Sequence, residues 1–315
     1  MAQEKMTQEK MTQEFEEIVT LISSVILGKK DQIRLALTCF FAQGHLLIED
    51  LPGIGKTTLA KVLAKCMGLK FQRMQFTADL LPGDILGMSV FDQNTGSFTF
   101  HAGPIFTQVF LADEINRATP KSQSALLEAM EEEQVTFEGE TRPLETPFFV
   151  IATQNPLEQA GTFLLPESQM DRFLMRIELG YPDRAAEKKI LKGEGADPAL
   201  AKITCCMSQS DVVRVQEQIN RVHASDIFLE YLQDLLGFTR TSPDFQIGLS
   251  PRAGLSLARA AKSWAFLHGR DHTLPEDLQH ILPWVAGHRL RSSQDLMGIP
   301  RDRLMEMFSR VPVPI

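Results

Sequence analysis

The segment DLPGIGKT, at residues 50–57, has the composition and spacing of a loop that binds phosphate. It follows an apolar run, HLLIE, and precedes an amphipathic stretch with helical spacing. A strand, a glycine-bearing loop and a helix in direct succession aim backbone amides and the positive end of the helix at an anion, and Gly53 and Gly55 let the chain pass close to it. Lys56 would reach the β- and γ-phosphates of a nucleotide, and the Thr57 hydroxyl would coordinate Mg²⁺.

Asp50 departs from the strict pattern G-x-x-x-x-G-K-[ST], because it stands where the first glycine belongs. The tripeptide Gly-Lys-Thr is short enough to occur by chance in an ordinary chain. The apolar run before it and the helical stretch after it make a phosphate loop the better interpretation. A second, acidic segment decides between the two.

That acidic segment is VFLADEINRA, at residues 109–118, an apolar run that ends in Asp113 and Glu114. Asp113 would hold the Mg²⁺ shell, and Glu114 would accept the proton of the attacking water. Two acids are needed because the one that is committed to the metal cannot also serve as the base. Taken alone, such a run is more often a strand that ends in solvent. After a phosphate loop, it predicts hydrolysis of ATP.

Three further polar residues could complete the site. Asn155 follows the apolar run FFVIAT, and its amide could orient the water, although an ordinary Asn-Pro turn is the alternative. Arg172 ends a short predicted helix, where a surface salt bridge is the alternative. Arg252 lies in the first turn of a helix that Ser250 caps and Pro251 begins. Positive charge is unfavourable at that end of a helix, which favours a role toward an anion.

The elements that position these residues form two kinds of region. Between residues 45 and 180, apolar runs alternate with helical stretches, which is typical of an α/β fold with a parallel sheet covered on both faces. The predicted strands are 45–49, 71–76, 109–113, 148–153 and 174–179. Residues 77–105 and 134–144 are expected to form two β-hairpins that project from this core.

After Tyr181 the strand-like runs end, and only helical spacing remains. The predicted helices there are 185–192, 211–222, 226–240, 251–268 and 276–290. The sequence therefore predicts a nucleotide-binding core at 15–181 and an all-α lid domain at 182–315. Residues 1–14 repeat a polar five-residue unit and are expected to form a disordered tail.

The 315 residues carry 32 basic and 40 acidic side chains, a net charge of −8, which disfavours a dedicated nucleic-acid binder. No stretch approaches the roughly 20 apolar residues of a membrane span. The N-terminus does not resemble a signal peptide, so we expect a cytoplasmic location. The four cysteines lack paired metal-binding spacing and are interpreted as reduced thiols.

Taken together, these segments resemble the AAA+ ATPases, and within them the MoxR family. The resemblance runs from about Ile18 to Arg291, nearly the whole chain. It is carried by EDLPGIGKT, FTADLLPGDILG, GPIFTQVFLADEINRATPKSQSALLEAMEE, IATQNPLEQAGTFLLPESQMDRF and SPRAGLSLARAA. These matches are long and specific, and Asp50 in place of the glycine is tolerated among MoxR-like sequences.

The resemblance implies a role for each matching residue. The residues that match the Walker A motif and its neighbours, and that would contact the nucleotide, are Gly53, Ile54, Gly55, Lys56, Thr57 and Thr58. The Walker B motif matches Asp113 and Glu114, sensor 1 matches Asn155, and the arginine finger matches Arg172. Sensor 2 matches Arg252, which could serve its own or a neighbour's nucleotide. The segment that lines the adenine pocket matches Ile26, Leu27 and Gly28.

The resemblance also implies a fold, cofactors and partners. The expected sheet has five parallel strands in the order 5-1-4-3-2, followed by a helical lid, and the expected cofactors are ATP or ADP and Mg²⁺. Subunits would form a ring, usually a hexamer, because an arginine finger completes the neighbour's site. MoxR-like ATPases are thought to be chaperone-like remodellers in the maturation or metal loading of protein complexes. A partner with a von Willebrand factor A domain is implied as well.

Two alternative functions stay open from the sequence. The first is a nucleic-acid motor, because related AAA+ helicases carry the same two hairpins. Residues 74–116 contain no Lys or Arg, and the second hairpin has Glu138 and Glu140 against Arg142 alone, so neither is well equipped to track a phosphate backbone. The second alternative is a nucleotide-gated scaffold with negligible turnover. Glu114 and Asn155 argue against it.

Overall fold

The structure is a computed structural model that describes residues 2–93, 96–156, 161–193, 196–294 and 298–314, with the backbone alone for 2–11 and 196–198. The described strands are β1 (Leu46–Glu49), β2 (Phe71–Gln75), β3 (Gly87–Asp92), β4 (Ser97–Ala102), β5 (Val109–Asp113), β6 (Gln134–Phe137), β7 (Glu140–Pro143), β8 (Phe149–Gln154) and β9 (Met175–Ile177). The five predicted core strands agree with β1, β2, β5, β8 and β9 within two residues at each end.

Helices precede, separate and follow these strands. In the first half of the chain they are α1 (Ala2–Val25), α2 (Lys30–Phe41), α3 (Lys56–Cys66), α4 (Pro82–Leu86), α5 (Pro120–Glu132) and α6 (Glu167–Met170), with a 3-10 turn at Ile115–Arg117. The others are α7 (Arg184–Leu191), α8 (Ala196–Lys202), α9 (Gln209–Asn220), α10 (Asp226–Thr241), α11 (Pro251–Leu267), α12 (Pro275–Ala286) and α13 (Arg301–Phe308).

The central sheet is parallel, with the strand order β2-β5-β8-β1-β9. Numbered among these five strands alone, the order is 2-3-4-1-5, which is the expected 5-1-4-3-2 counted from the other edge. The predicted fold is therefore confirmed. Every residue of β5 and β8 is buried, as continuous apolar strands in the middle of a parallel sheet should be. All five strands end at the same edge, which we call the carboxyl edge, and begin at the opposite, amino edge.

Successive residues of these strands face two different cores, because side chains alternate across a sheet. Leu46, Leu111 and Ile151 pack with α1, α2, α3 and the helices after residue 184. Leu47, Phe110 and Val150 pack instead with α5 and the base of the hairpins. The sheet is thus held between two layers, and α5 is fixed against it by Leu126, Leu127 and Met130.

Residues 2–14 do not form the predicted disordered tail, because they belong to α1. Their repeated unit is rich in Gln, Glu, Lys and Met, which lose little side-chain freedom in a helix. They extend a helix whose residues Phe15, Ile18 and Ile22 are buried in the core. The buried turns supply the helix nucleus that a polar repeat of this length would not form alone.

Two hairpins project from the core, as expected. In the first, β3 pairs with β4, and in the second, β6 pairs with β7. Residues 94 and 95, which separate β3 from β4 in the sequence, lie outside the described residues. The hairpins contact each other. Ser89 donates a hydrogen bond of 2.6 Å to Glu138, and the guanidinium of Arg142 lies 4.0 Å from the ring centroid of Phe100.

The described residues after 184 contain helices and no strand, only isolated bridges. The predicted boundary at 181–182 falls in the extended segment between β9 and α7. Of the seven helices that the described residues form there, five were predicted, whereas α8 and α13 were not. Ser250 caps α11 by accepting a hydrogen bond from Ala253, with Pro251 in the first helical position, as expected. No helix within the described ranges is long and apolar enough to cross a membrane.

Candidate nucleotide site

The loop between β1 and α3 has the shape that an anion requires. Gly53 and Gly55 adopt left-handed backbone conformations, with φ of 82° and 96°, which side chains other than glycine rarely tolerate. The space that a Cβ atom of Gly53 would occupy is open. Gly55 is the residue before the first turn of α3, so the free amides of that turn face the loop.

Lys56 begins α3 and is buried, and its Nζ atom donates a hydrogen bond of 2.7 Å to the Asp50 carbonyl oxygen. Burial lowers the pKa of Lys56. Three nearby carboxylates act in the opposite direction, those of Asp113, Asp50 and Glu114. The predicted phosphate-binding lysine and the two predicted acids therefore lie close enough to interact electrostatically.

Asp50 has a role that its place in the motif did not predict. Its buried carboxylate accepts hydrogen bonds from the amides of Leu51, at 2.8 Å, and Gly180, at 2.6 Å. Gly180 lies in the segment that joins β9 to α7. Asp50 thus ties the start of the phosphate loop to the connection between core and lid, a contact that glycine could not make.

The segment predicted to line the adenine pocket lies between the phosphate loop and α7. Ile26 is buried, and its Cδ1 atom is 3.9 Å from the position that a Cβ atom of Gly55 would take. Leu27 is half-buried beside it. A Cβ atom at Gly28 would lie 3.2 Å from both Asp183 Oδ2 and Ala186 Cβ. The structure therefore brings this segment to one side of the loop.

The two acids at the end of β5 are held by a hydroxyl group. Thr153, which is fully buried on β8, donates a hydrogen bond of 2.6 Å to Asp113 Oδ1. The same hydroxyl accepts one of 2.8 Å from the backbone amide of Glu114. Glu114 has a left-handed backbone, with φ of 58°, which is uncommon for glutamate and typical of strained functional positions.

Two residues of the edge strand β2 donate hydrogen bonds to the carboxylates of both acids. The Nε and Nη2 atoms of Arg73 donate to Asp113 Oδ2, at 3.0 and 2.8 Å. Gln75 accepts a hydrogen bond of 2.8 Å from Arg73 and donates one of 2.7 Å to Glu114 Oε2. Arg117 approaches the same Glu114 oxygen at 3.1 Å. These contacts form one connected polar network.

Sequence reasoning missed this network, although one signal was available. Arg73 and Gln75 alternate within a run that was predicted as a strand, so they share a face of it. In the observed register Gln75 is paired with Asp113, the last residue of β5. Arg73 and Gln75 could therefore have been added to the predicted site residues, because they alternate near the end of the strand that lies beside β5.

Asn155 follows β8 directly and is half-buried at the same carboxyl edge. Its carbonyl oxygen accepts a long hydrogen bond, 3.5 Å, from Asn116. Thr57 and Thr58 lie half-buried in the first turn of α3. The structure thus brings the predicted loop, acids and amide to one edge of the sheet.

The donor set at this edge fits Mg²⁺. The Thr57 hydroxyl and the Asp113 carboxylate supply oxygen atoms only, and Mg²⁺ is usually held by one or two protein oxygens with phosphates and waters. Both oxygens of Asp113 have partners in the structure, Thr153 and Arg73. The Asp113 carboxylate is therefore already oriented, and Arg73 is the partner that a cation would replace.

The two predicted arginines do not lie at this edge. Arg172 forms an ion pair with Glu131, near the end of α5, and donates a hydrogen bond of 2.8 Å to the Leu127 carbonyl oxygen. Arg252, from the first turn of α11, pairs with the same carboxylate at 2.8 Å. In the described part of the chain, neither guanidinium has a hydrogen bond or ion pair to the phosphate loop.

The contacts of His45 locate these arginines at the amino edge. His45 directly precedes β1, accepts a hydrogen bond from the Leu174 amide ahead of β9, and donates one of 3.1 Å from Nε2 to the carbonyl oxygen of Met130. Asp50, at the other end of β1, is about 16 Å away at the usual rise of a strand. Glu131, next to Met130, is therefore separated from the phosphate loop by the length of the sheet.

A cavity of about 140 Å³ lies at this amino edge, beside His45 and Met130. Its walls include Arg172, Arg252, Arg259, Glu131 and Asp171. Arg259 was not predicted as a site residue, although it follows Arg252 by seven positions and so shares its face of α11. Glu133 lines the same cavity, so its walls hold three carboxylates beside the three guanidinium groups, and acids within the chain balance the arginines.

Comparison with known proteins identifies the class. A model of the ATPase family associated with various cellular activities (AAA) matches residues 45–175, and a model of the AAA lid domain matches residues 237–306. The strand order and the phosphate loop agree with these matches, so the chain has an AAA ATPase domain and a helical lid.

Three similar proteins narrow this class. The uncharacterized protein YeaC of Bacillus subtilis is 42% identical over 93% of both chains. The chaperone MoxR1 of Mycobacterium tuberculosis is 38% identical over 90% of this chain and 77% of its own length. A provisionally assigned ATPase of known structure from Cytophaga hutchinsonii is 36% identical, with a TM-score of 0.88 over 99% of this chain and 97% of its own. The chain belongs to the MoxR family of AAA+ ATPases.

Proposed function

We propose that the chain hydrolyses ATP to ADP and phosphate at the carboxyl edge of its sheet, and that a neighbouring copy supplies the arginines. The observation that carries the second part is the separation of Arg172 and Arg252 from Asp113 and Glu114 by the length of the sheet. The sheet keeps Arg172 at the edge opposite to the two acids of the same chain, and Arg252 pairs with Glu131 beside Arg172. A second copy that presents its amino edge would bring them together, as in a closed ring.

Within this proposal each residue has one task. The amides of the loop and Lys56 bind the phosphates, while the segment at Ile26 contacts the base. Glu114 accepts the proton of the attacking water, and Asn155 orients that water. Thr57 and Asp113 would hold Mg²⁺, which when bound neutralises charge on the β- and γ-phosphates.

The roles of Lys56 in phosphate binding and of Glu114 as the base are tested by two substitutions with different expected effects. Lys56→Ala should lose nucleotide binding, because it removes the cation that faces the phosphates. Glu114→Gln should bind a fluorescent ATP analogue as wild type does and fail to turn ATP over. Binding by fluorescence anisotropy and phosphate release by a coupled assay separate these effects. Equal ATP turnover by wild type and Glu114→Gln would exclude Glu114 as the general base.

The trans arrangement is tested by mixing subunits. Arg172→Ala should keep ATP binding and reduce turnover about 10³-fold, as for other arginine fingers. Rings that combine Arg172→Ala with Glu114→Gln subunits should regain activity, because some sites then combine an intact Glu114 with an intact Arg172. The absence of recovery in rings shown to be mixed would place Arg172 in its own subunit's site.

The biological role that we propose is chaperone-like remodelling of protein complexes by a ring, with six subunits as the expected number, in the cytoplasm. The name of the relative MoxR1 as a chaperone supports remodelling. Maturation or metal loading of a client, together with a partner that has a von Willebrand factor A domain, is the specific form we propose. Co-purification of the chain with such a partner, with ATPase stimulation by it, is the test.

A nucleic-acid motor is the second candidate, and the hairpin contacts argue against it. Arg142, the basic residue of the second hairpin, pairs with Glu140 and stacks on Phe100. Its charge is therefore neutralised and its face is covered by an aromatic ring. Binding to a phosphate backbone depends on free cationic side chains, which this hairpin does not offer.

A further inference from the structure

One carboxylate at the amino edge joins two arginines from different domains. Glu131 Oε1 forms an ion pair with Nη2 of Arg252 at 2.8 Å, and Glu131 Oε2 forms an ion pair with Nη1 of Arg172. Arg172 belongs to the core, and Arg252 belongs to the lid. Without an anion between them, two guanidinium groups that share one carboxylate would repel each other.

Glu131 is itself held firmly. The carbonyl oxygen of Met130, the preceding residue, accepts the hydrogen bond of His45, whose Nδ1 atom accepts one of 3.1 Å from the amide of Val150 on β8. The end of α5 is therefore fixed to the sheet through a buried imidazole. A carboxylate on this end is a rigid reference point for side chains that would otherwise sample many rotamers.

The two arginines depend on Glu131 to different extents. Arg172 has a second anchor on α5, the carbonyl oxygen of Leu127. Arg252 has half of its side chain exposed, and in the described part of the chain its guanidinium forms an ion pair with Glu131 alone. Removal of the carboxylate should therefore release Arg252 first.

The contacts leave most of each guanidinium available. A guanidinium has five N–H donors on three nitrogens. Among the described residues, the partners of Arg172 contact Nη1 alone, and the partner of Arg252 contacts Nη2 alone. Glu131 can thus orient both groups without blocking their approach to a further anion.

We propose that Glu131 is a positioning residue that holds Arg172 and Arg252 as a pair, so that both act on the nucleotide of the next copy. The proposal rests on the trans arrangement proposed above. It predicts that loss of the carboxylate lowers the rate of hydrolysis in the assembled ring and leaves the subunit's own nucleotide binding unchanged, because Glu131 lies at the opposite edge of the sheet from its own phosphate loop.

The first experiment compares ATP turnover of assembled wild type, Glu131→Gln and Glu128→Gln over a range of ATP concentrations. Glu128 is an exposed glutamate three positions earlier on α5 and serves as the matched control. Glu131→Gln should lower kcat about 10-fold, as expected for a displaced catalytic group, with KM and the Kd for fluorescent ADP within about twofold of wild type. Glu128→Gln should match wild type. An unchanged kcat in Glu131→Gln would overturn the proposal, as would an increase, which would mean that Glu131 restrains the arginines.

A conservative variant separates positioning from folding. Glu131→Asp keeps the charge and should retain more of kcat than Glu131→Gln, although both change the packing of α5 slightly. If Glu131→Asp and Glu131→Gln lower kcat equally, Glu131 has a structural role instead. The same conclusion follows if both variants fail to assemble into rings.

Mixed rings decide between the subunit's own site and the neighbour's. Glu131→Gln mixed with Glu114→Gln should regain activity, because an intact acid site then meets an intact arginine pair. Glu131→Gln mixed with Arg172→Ala should not regain it, because every arginine pair is then defective. If the first mixture shows no recovery, Glu131 acts within its own subunit and the inference fails. If Arg172→Ala alone leaves turnover unchanged, the proposed trans arrangement is wrong. If Arg172→Ala lowers turnover and Glu131→Gln does not, the trans arrangement stands and only the positioning role of Glu131 is wrong.

Discussion

The hydroxyl of Thr153 is the point on which both acids of the site depend, and Thr153→Val removes it with little change in side-chain shape. In the structure this fully buried hydroxyl donates to Asp113 Oδ1 at 2.6 Å and accepts from the Glu114 amide at 2.8 Å. Valine keeps the branched side chain and can make neither bond. The Glu114 amide is then left without the partner that holds its left-handed backbone.

The expected loss follows from the two hydrogen bonds. A bond to a charged acceptor contributes about 1.5–3 kcal/mol, and a buried amide left without a partner costs about 1–3 kcal/mol. These terms overlap because they share one hydroxyl, so we expect Thr153→Val to lower the free energy of unfolding by about 3 kcal/mol. Asp113 keeps its contacts with Arg73, which limits the loss.

Urea unfolding of wild type, Thr153→Val and Thr153→Ser at pH 7 measures this effect, with the midpoint and the slope m reported for each. Thr153→Ser is the control, because it keeps the hydroxyl and loses one buried methyl group, a change of about 1 kcal/mol. Thr153→Val should therefore be the less stable variant by about 2 kcal/mol. Equal stabilities of the two variants, or a Thr153→Val protein within about 0.5 kcal/mol of wild type, would refute the role given to this hydroxyl.

Three other predictions concern different parts of the molecule. Burial lowers the pKa of His45 to about 4; the unfolded chain therefore binds this proton first, and stability should fall by about 2 kcal/mol between pH 7 and pH 5, measured by urea unfolding. Asp50→Gly restores the strict motif yet removes the bonds to Leu51 and Gly180, so it should weaken ADP binding in a fluorescence titration; unchanged affinity would contradict this. Single-stranded DNA, duplex DNA and RNA should not stimulate ATP turnover at physiological salt, whereas strong, salt-dependent stimulation would support a nucleic-acid motor.

The alternation of short apolar runs with helical stretches was sufficient to predict a parallel sheet covered on both faces. The strand order, which the family resemblance implied and the runs alone did not give, is confirmed. The tail was wrong for a physical reason. A polar repeat has no core of its own, and its composition does not reveal that a buried helix, beginning near Phe15, continues into it.

The phosphate loop and the acids could be predicted because each is local, a short segment at the end of one strand. The alternation of Arg73 and Gln75 was a signal for the network, but its contacts with Thr153 and the acids depend on which strands are neighbours and in which register. The place of Arg252 was open for the same reason. The packing of the lid on the core decides which edge of the sheet this side chain reaches, and a helix start in the sequence carries no information on that.

The separation of the site's two halves is a consequence of the sheet itself. In a parallel sheet all loops that follow strands meet at the carboxyl edge, and there the chain has its phosphate loop and both acids. Helix α5 then returns about 20 Å along the sheet, at 1.5 Å per residue over its 13 residues, and delivers Glu131 to the amino edge. Arg172 enters from the segment before β9 and Arg252 from the lid, so both arrive at that same edge. In the arrangement proposed above, one chain supplies residues to two different nucleotides, and contact between unlike edges of successive copies would repeat until a ring closes.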